Sequence, residues 1–315
     1  MPAAAVKRRY VTADVFTDRI FGGNPLAVVL DAEDLSTAQM QAIALEFNYS
    51  ETTFVLPPDD PAHTAKIRIF TPRTEVPFAG LPNVGTAFVL AREPRFAAAA
   101  AGGMFVFEEI AGLVPLKLLR EHDATVGAEL SAPEALSRRT VVSREAAAAC
   151  LSLDPDDIAI ETHAPQIASV GLPFLIVELG SRDARRRAAP NIAAHAELLP
   201  LDGADAIFVY WRAPEESPSP GETVLHARTF SPLDGIVEDP ATGSACAATI
   251  ALLATLAADP RPELLWRIHQ GVDMGRPSLL SGRTSSRDAK VVGTHIGGRC
   301  VAVLEGTLAV PYADE

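Results

Sequence analysis

Short apolar runs rich in Val, Ile, Phe and Thr, each bounded by Gly, Pro, Asn or Asp, recur along the chain and read as strands. In the first half they fall at residues 10–16, 26–30, 52–56, 66–70, 104–107, 114–119 and 126–130. In the second half they fall at 167–170, 174–179, 206–211 and 223–230, with closing strands at 290–292 and 300–304. Between them, 36–47 sets Met40, Ile43, Ala44 and Phe47 at helical spacing behind Ser36, a suitable N-cap. Two further segments, 83–91 and 241–258, are small and apolar on nearly every side, the pattern of a buried helix. The low-complexity stretches 96–103 and 213–221 read as surface connections. Many strands around one buried helix per half predict an α+β fold in which each half is a curled, mostly antiparallel sheet or barrel around a central helix.

The halves also echo each other. Arg68-Ile-Phe-Thr-Pro72 precedes Pro82-Asn-Val-Gly-Thr-Ala87, and about 160 residues later Arg228-Thr-Phe-Ser-Pro232 precedes Pro240-Ala-Thr-Gly-Ser-Ala245. Gly23-Asn-Pro-Leu-Ala-Val-Val29 resembles Gly171-Leu-Pro-Phe-Leu-Ile-Val177 in the same order. Three ordered echoes in 315 residues predict two pseudo-symmetric lobes, 1–135 and 136–315, with a boundary within 130–144 and a C-terminal strand able to cross back to the first lobe.

Composition narrows the function. Hydrophobic residues at 48% and charged residues at 21% are those of a globular protein, and a net charge of −13 argues against nucleic acid as a partner. Three cysteines, Cys150, Cys246 and Cys300, without C-x-x-C spacing suggest neither a disulfide framework nor zinc. No secretory leader or membrane span is legible, so a soluble, cytoplasmic protein is the expectation.

The candidate chemistry gathers at the two repeated turns. A helix N-terminus offers unpaired amides and a positive partial charge, and so attracts carboxylates and phosphates. Gly85 and Gly243 are expected in the first turns of their helices, where the missing side chain lets a ligand approach the amides. The pair would form an anion clamp with Thr242 and Ser244 as hydroxyl donors and Glu238 and Asp239 alongside. The plainer reading is an acidic helix cap, since Asp and Glu favour helix starts for stability alone. Glycine patterns of nucleotide sites are missing from Gly80-Leu-Pro-Asn-Val-Gly85 and from Gly22-Gly-Asn-Pro25. Glu51, at a helix-to-strand junction, could point into a cleft, although an isolated glutamate there is ordinarily an exposed loop acid. Seven histidines show no metal spacing. His226 and His269 are the two of interest, Cys246 reads as buried filler or as a dipole-activated thiol, and Arg276 as a carboxylate holder or a turn brace.

Long strings then bring a family into view. Asp14-Val-Phe-Thr-Asp18, Gly23-Asn-Pro25, Ser50-Glu-Thr-Thr-Phe-Val55, Arg68-Ile-Phe-Thr-Pro72, Pro77-Phe-Ala-Gly80, Glu238-Asp-Pro-Ala-Thr-Gly-Ser-Ala245 and Gln270-Gly271 to Met274-Gly-Arg-Pro-Ser278 resemble the phenazine-biosynthesis PhzF family nearly end to end. The resemblance implies a diaminopimelate-epimerase-like fold, an active site between the lobes, a homodimer, no cofactor and no metal. It implies isomerisation of a dihydro-hydroxyanthranilate-like carboxylate in secondary metabolism, with Glu51 as acid/base and Asp239 beside it. Gly80, Leu81, Asn83, Gly85, Thr86, Thr242, Gly243 and Ser244 are the implied substrate-binding positions. The family usually has histidine where this chain has Leu81, so a changed substrate, a substitute group, another reaction such as dehydration or cyclisation, or a silent binding protein all stay open. A two-thiol racemase does not fit, because Leu81 and Asp239 stand where related epimerases carry cysteine.

Overall fold

The computed structural model describes residues 7–219, 221–258 and 261–310, with Asp234 described by its backbone alone. Residues 1–6, on which the reading of the N-terminus falls, and Pro220, in the 213–221 connection, lie outside the described residues. The chain divides into two compact units, Met1–Leu130 with Gly297–Glu315, and Ser131–Ile296.

The first unit is a closed barrel. Its strands are β1 (Lys7–Val15), β2 (Asn24–Val29), β3 (Glu51–Leu56), β4 (Ala65–Phe70), the short β5 (Glu75–Val76), β6 (Met104–Glu109), β7 (Gly112–Glu121) and β8 (Ala124–Ser131). Starting from the final strand of the chain (Lys290–Ala309), the order runs final strand, β1, β2, β3, β4, β6, β7, β8 and back to the final strand. The parallel pairs β2/β3 and β4/β6 need crossovers, and helices α1 (Thr37–Phe47) and α2 (Gly80–Leu90) supply them. Ser36 closes a capping box with Gln39 on α1, and Asn48 ends that helix in the left-handed conformation. Met40, Ile43 and Ala44 bury against Phe54 and Phe70 in a cluster of their own. Every residue of α2 is buried, as its apolar circumference requires.

The second unit repeats the pattern. β9 (Ser137–Val141), β10 (Gln166–Ser169), β11 (Pro173–Glu178), β12 (Ile207–Arg212), β13 (Glu222–Ser231), β15 (Glu263–Gln270) and β16 (Ser278–Arg287) follow one another in the sheet, with β14 (Ile236–Asp239) on β13 as β5 is on β4. The parallel pairs β11/β12 and β13/β15 fall at the same places in the order. Helix α4 (Arg144–Cys150) stands between β9 and β10, and the crossovers are α5 (Arg182–Arg187) with α6 (Ile192–Leu198), and α7 (Gly243–Leu256), itself buried over most of its length. The fold is thus two pseudo-symmetric α+β lobes of the diaminopimelate epimerase type, each wrapped on one helix.

Four local expectations need correction. The first central helix starts at Gly80, three residues before the expected 83, because proline is tolerated in a first helical turn and Pro82 does not mark its beginning. Segment 96–103 is a 3₁₀ turn (Pro94–Phe96) running into helix α3 (Ala97–Ala101), since alanine is the strongest helix former and Ala100 finds burial. The two closing strands are one, Lys290–Ala309. Its glycines disguise it: a Cβ on Gly297 would lie 2.5 Å from the Ala128 carbonyl oxygen, so the break in apolar pattern marks close strand approach. Finally, β15 and β16 were not foreseen, because apolar residues do not mark one face: Leu265 and Leu279 are exposed, while Gln270, Ser278, Gly282 and Thr284 face inward.

Candidate functional site

Each lobe presents one constructed turn. In the first, β3 follows the rule that alternate residues share a face. The Thr53 hydroxyl meets the Thr86 hydroxyl of α2 at 2.8 Å, so the odd positions of β3 look inward and Glu51 shares that face. From Thr53 to Glu51 is two strand residues, about 7 Å. From Thr86 back to Leu81 is five helical residues, about 7.5 Å. The start of β3 lies at the end of β4, after which β5 leads into α2, so Glu51 stands at the level of the first turn of that helix.

Glu51 is held from behind. Its neighbour Ser50 donates to Asn24 Oδ1 at 3.2 Å, and Asn24 is fully buried. Gly23 before it has φ 62°, and an added Cβ would lie 2.3 Å from the Val15 carbonyl oxygen. The Gly-Asn-Pro string is therefore the brace of the glutamate strand. Phe21 N–H donates to Asp14 Oδ2 at 2.6 Å and fixes the loop between.

On α2 itself, Gly80, Leu81 and Asn83 occupy the first turn, and Leu81 is 3% exposed. The Asn83 amide turns back to donate to the Ala79 carbonyl at 2.9 Å. Gly85 is not in the first turn, as expected above, but one turn deeper. A Cβ there would meet Leu26 and Val15 side chains at 2.5 and 2.6 Å, so its missing side chain admits the barrel wall and not a ligand. Thr86 is likewise buried, with its hydroxyl engaged by Thr53.

The second lobe builds its turn more elaborately. Helix α7 begins at Gly243 with no side-chain cap, so the amides of Gly243 and Ser244 have no partner within the helix. Before it, the Thr242 hydroxyl donates to Asp239 Oδ2 at 2.5 Å and lies 2.9 Å from the Thr229 hydroxyl. Gln270, fully buried at the end of β15, organises the rest. Its Oε1 accepts the Thr242 N–H at 3.1 Å, and its Nε2 donates to the Asp239 carbonyl at 2.8 Å and to the Thr229 and Thr242 hydroxyls at 3.0 Å each. Gly271 sits with φ 71° under Pro240, and Ser278 donates to the Pro240 carbonyl at 2.9 Å. The distant Gln270-Gly271 and Ser278 positions are thus the floor of the Asp239–Thr242 turn.

Glu238 belongs elsewhere. It forms a double hydrogen-bonded ion pair with Arg228, both contacts at 2.8 Å, while the Arg228 guanidinium lies 4.8 Å from the Phe230 ring centre. Arg68, Glu75 and Phe70 repeat this in the first lobe, at 2.7 and 2.6 Å and 5.2 Å. The repeated Arg-x-Phe string therefore encodes a structural clamp.

Other candidates fall outside the turns. His226 Nε2 lies 2.8 Å from Glu216 and its ring stacks on His269 at 5.0 Å, with burial pushing the His269 pKa down. Cys246 is fully buried, and loss of water drives its thiol pKa up, which leaves a packing thiol. Arg276 takes part in the loop over Gly271, its N–H donating to that carbonyl at 3.1 Å. Among the described residues no three His, Cys, Asp or Glu side chains gather as a metal site. None of their helices is long and apolar enough to cross a membrane.

Gln270, Thr229 and Ser278 were missed as supports of the Asp239–Thr242 turn. All three stood inside strings that the sequence made conspicuous, but only the sheet brings them under the turn.

Two barrel-like lobes on one repeated plan, with Glu51 opening β3 in the first and Asp239 closing β14 in the second, make a fold of the diaminopimelate epimerase type. The chain belongs to the phenazine biosynthesis-like protein family, whose pattern matches residues 13–306. It is 40% identical over 310 residues to an uncharacterised isomerase of Mesorhizobium japonicum, covering 96% of this chain and 99% of that one. It is 34% identical over 307 residues to the trans-2,3-dihydro-3-hydroxyanthranilate isomerase of Pseudomonas aeruginosa, covering 95% and 98%. Among solved structures, the Bacillus anthracis phenazine biosynthesis protein of the PhzF family matches with a TM-score of 0.81 at 24% identity, over 97% of this chain and all of that one, a likeness of fold.

Proposed function

We propose that the protein is a cofactor-independent isomerase that moves a proton between carbons of a small cyclic carboxylate, of the dihydro-hydroxyanthranilate type, with Glu51 as the acid/base group. The observation that carries the reading is Glu51 on the inward face of β3, level with the first turn of α2 and braced through Ser50 and Asn24. A carboxylate on a rigid strand beside a helix start can take a proton from carbon and return it, a contribution of about 10²- to 10⁴-fold in rate. Asp239, fixed by Thr242, is the second carboxylate assigned to the reaction. The substrate type is that of the Pseudomonas aeruginosa relative, and Leu81 in place of histidine is the reason it is named by class.

The test is hydrogen exchange. Incubated in D₂O with trans-2,3-dihydro-3-hydroxyanthranilate, the protein is expected to wash deuterium into ring carbon and yield a product of unchanged formula. Glu51→Gln is expected to lower that exchange at least 100-fold. Equal exchange by both proteins removes Glu51 from the role, and a product lighter by one water replaces isomerisation with dehydration on the same scaffold.

A further inference from the structure

Hydrogen-bond accounting at the start of α2 leaves one proton to be placed. The strand β6 turns Phe105 and Phe107 inward, both fully buried, and by the same alternation Glu109 looks inward too. β6 runs parallel to β4 with Glu108 opposite Lys66, and directly after Glu109 it turns through a hairpin into β7. The hairpin beyond is tied to the entry of α2 by Ala111 N–H donating to the Pro77 carbonyl at 3.1 Å.

Both carboxyl oxygens of Glu109 are cut off from solvent and have no hydrogen-bond partner. Asn83 Oδ1 is in the same condition. The orientation of that amide is fixed, because its other atom contacts the Ala79 carbonyl, which can only accept; the contacting atom is Nδ2 and the orphan is Oδ1. Three buried acceptors left unsatisfied are unstable together, since each unsatisfied group costs stability and a bare buried carboxylate costs most. A single hydrogen on Glu109 turns one acceptor into a donor for Asn83 Oδ1, removes the buried charge, and leaves only the carbonyl oxygen of a neutral acid without a donor.

We infer that Glu109 is a positioning residue that works as a neutral carboxylic acid, its O–H holding Asn83 Oδ1 and thereby the first turn of α2 that carries Leu81. The surroundings agree. Burial pushes the Glu109 pKa up to about 8, the Asn83 amide opposing the shift only in part, and no charge contributes. The elements packed on this face bring few charges: α2 has no ionisable residue, and the inward residues of β4 and β7 are apolar. Glu51 is the other carboxylate on the inner face, while Glu75 of β5 is engaged by Arg68. Above about pH 8 the proton leaves, Glu109 can no longer donate, and the turn loses its hold.

The bearing of this switch on catalysis rests on the isomerase reading; the switch itself does not, and the two are tested apart. The chain has four asparagines, Asn24, Asn48, Asn83 and Asn191, so selective ¹⁵N-Asn labelling gives a short list of side-chain amide signals. The Asn83 signals are expected to move with pH, with a midpoint near 8, and to stay flat in Glu109→Gln, whose amide donates without a titrating proton. No movement between pH 6 and 10, or movement that survives Glu109→Gln, overturns the inference. In the exchange assay, Glu109→Gln is expected to keep activity within about threefold at pH 7 and to lose the alkaline decline of the parent protein, whereas Glu109→Leu loses tenfold or more, chiefly in KM. A Glu109→Gln protein that folds but is inactive also overturns it, because the proton itself would then be transferred. A parent protein that exchanges nothing while Asn83 titrates as stated sinks the isomerase reading and leaves the switch standing.

Discussion

Glu108 and Glu109 are neighbours on β6 whose carboxyl groups face opposite sides of the barrel wall and are driven in opposite directions. Glu108 lies outside, where the Asp59 and Asp60 N–H groups at 2.7 and 2.9 Å and His63 at 2.7 Å hold its pKa down at about 2. Glu109 lies inside, where burial, opposed only in part by the Asn83 amide, raises its pKa to about 8. One residue of strand advance, a half-turn of the pleat, separates a carboxylate from a carboxylic acid.

The pair contributes to the pH dependence of stability in opposite senses. Between its ordinary value of 4.5 and about 8, Glu109 keeps a proton in the folded chain that the unfolded chain releases. Its contribution is therefore complete below pH 4.5 and lost as pH rises to about 8, on the order of 2–5 kcal/mol. Glu108 acts in the other sense, its contribution being lost as pH falls from 4.5 towards 2. Urea unfolding of the parent and of Glu109→Gln from pH 4 to 9 is expected to show a downward slope in the parent that is absent in the variant. Parallel curves refute the assignment.

The duplicated clamps differ in depth, and so should their loss. The Arg228 and Glu238 side chains are 10% and 14% exposed, against 22% and 20% for Arg68 and Glu75. Arg228 also donates to the Arg185 and Ala188 carbonyls at 3.0 and 2.6 Å, so it cannot withdraw to water when its partner is removed. Glu238→Gln is expected to cost about 3–5 kcal/mol, the penalty of an uncompensated buried charge, and Glu75→Gln about half that. Thermal unfolding of the two variants decides, and an equal or reversed order contradicts the reading.

Gln270 has its predicted effect at a distance in sequence. Gln270→Leu keeps the bulk but strips donors or acceptors from Thr242 N–H, the Asp239 carbonyl and two threonine hydroxyls. Each unsatisfied group costs about 1–3 kcal/mol, partly relieved by water entering the turn. Amide hydrogen exchange is expected to speed up at Thr242 by at least tenfold while the interior of α7 stays protected. Unchanged protection at Thr242 would show that the turn holds itself.

The amino-acid sequence by itself determined the plan of this protein. Apolar alternation and circumference are local properties, so most of the strands, the two buried helices and the duplicated Arg-x-Phe strings were legible from residue order alone. The strings also carried the family, and with it Glu51 and Asp239 as residues to look for. What the sequence did not determine is which side chains meet. Gly85 reads as a ligand-facing glycine until Val15 and Leu26 are seen against it, and Glu238 reads as part of the turn until Arg228 claims it. Gln270 reaches Asp239 across 31 residues, and Glu109 becomes an acid only because the packed barrel takes it out of water. The reason is physical: periodicity and propensity act over a few residues, whereas burial and hydrogen-bond satisfaction, which fix protonation and position, are set by packing between strands far apart in the chain.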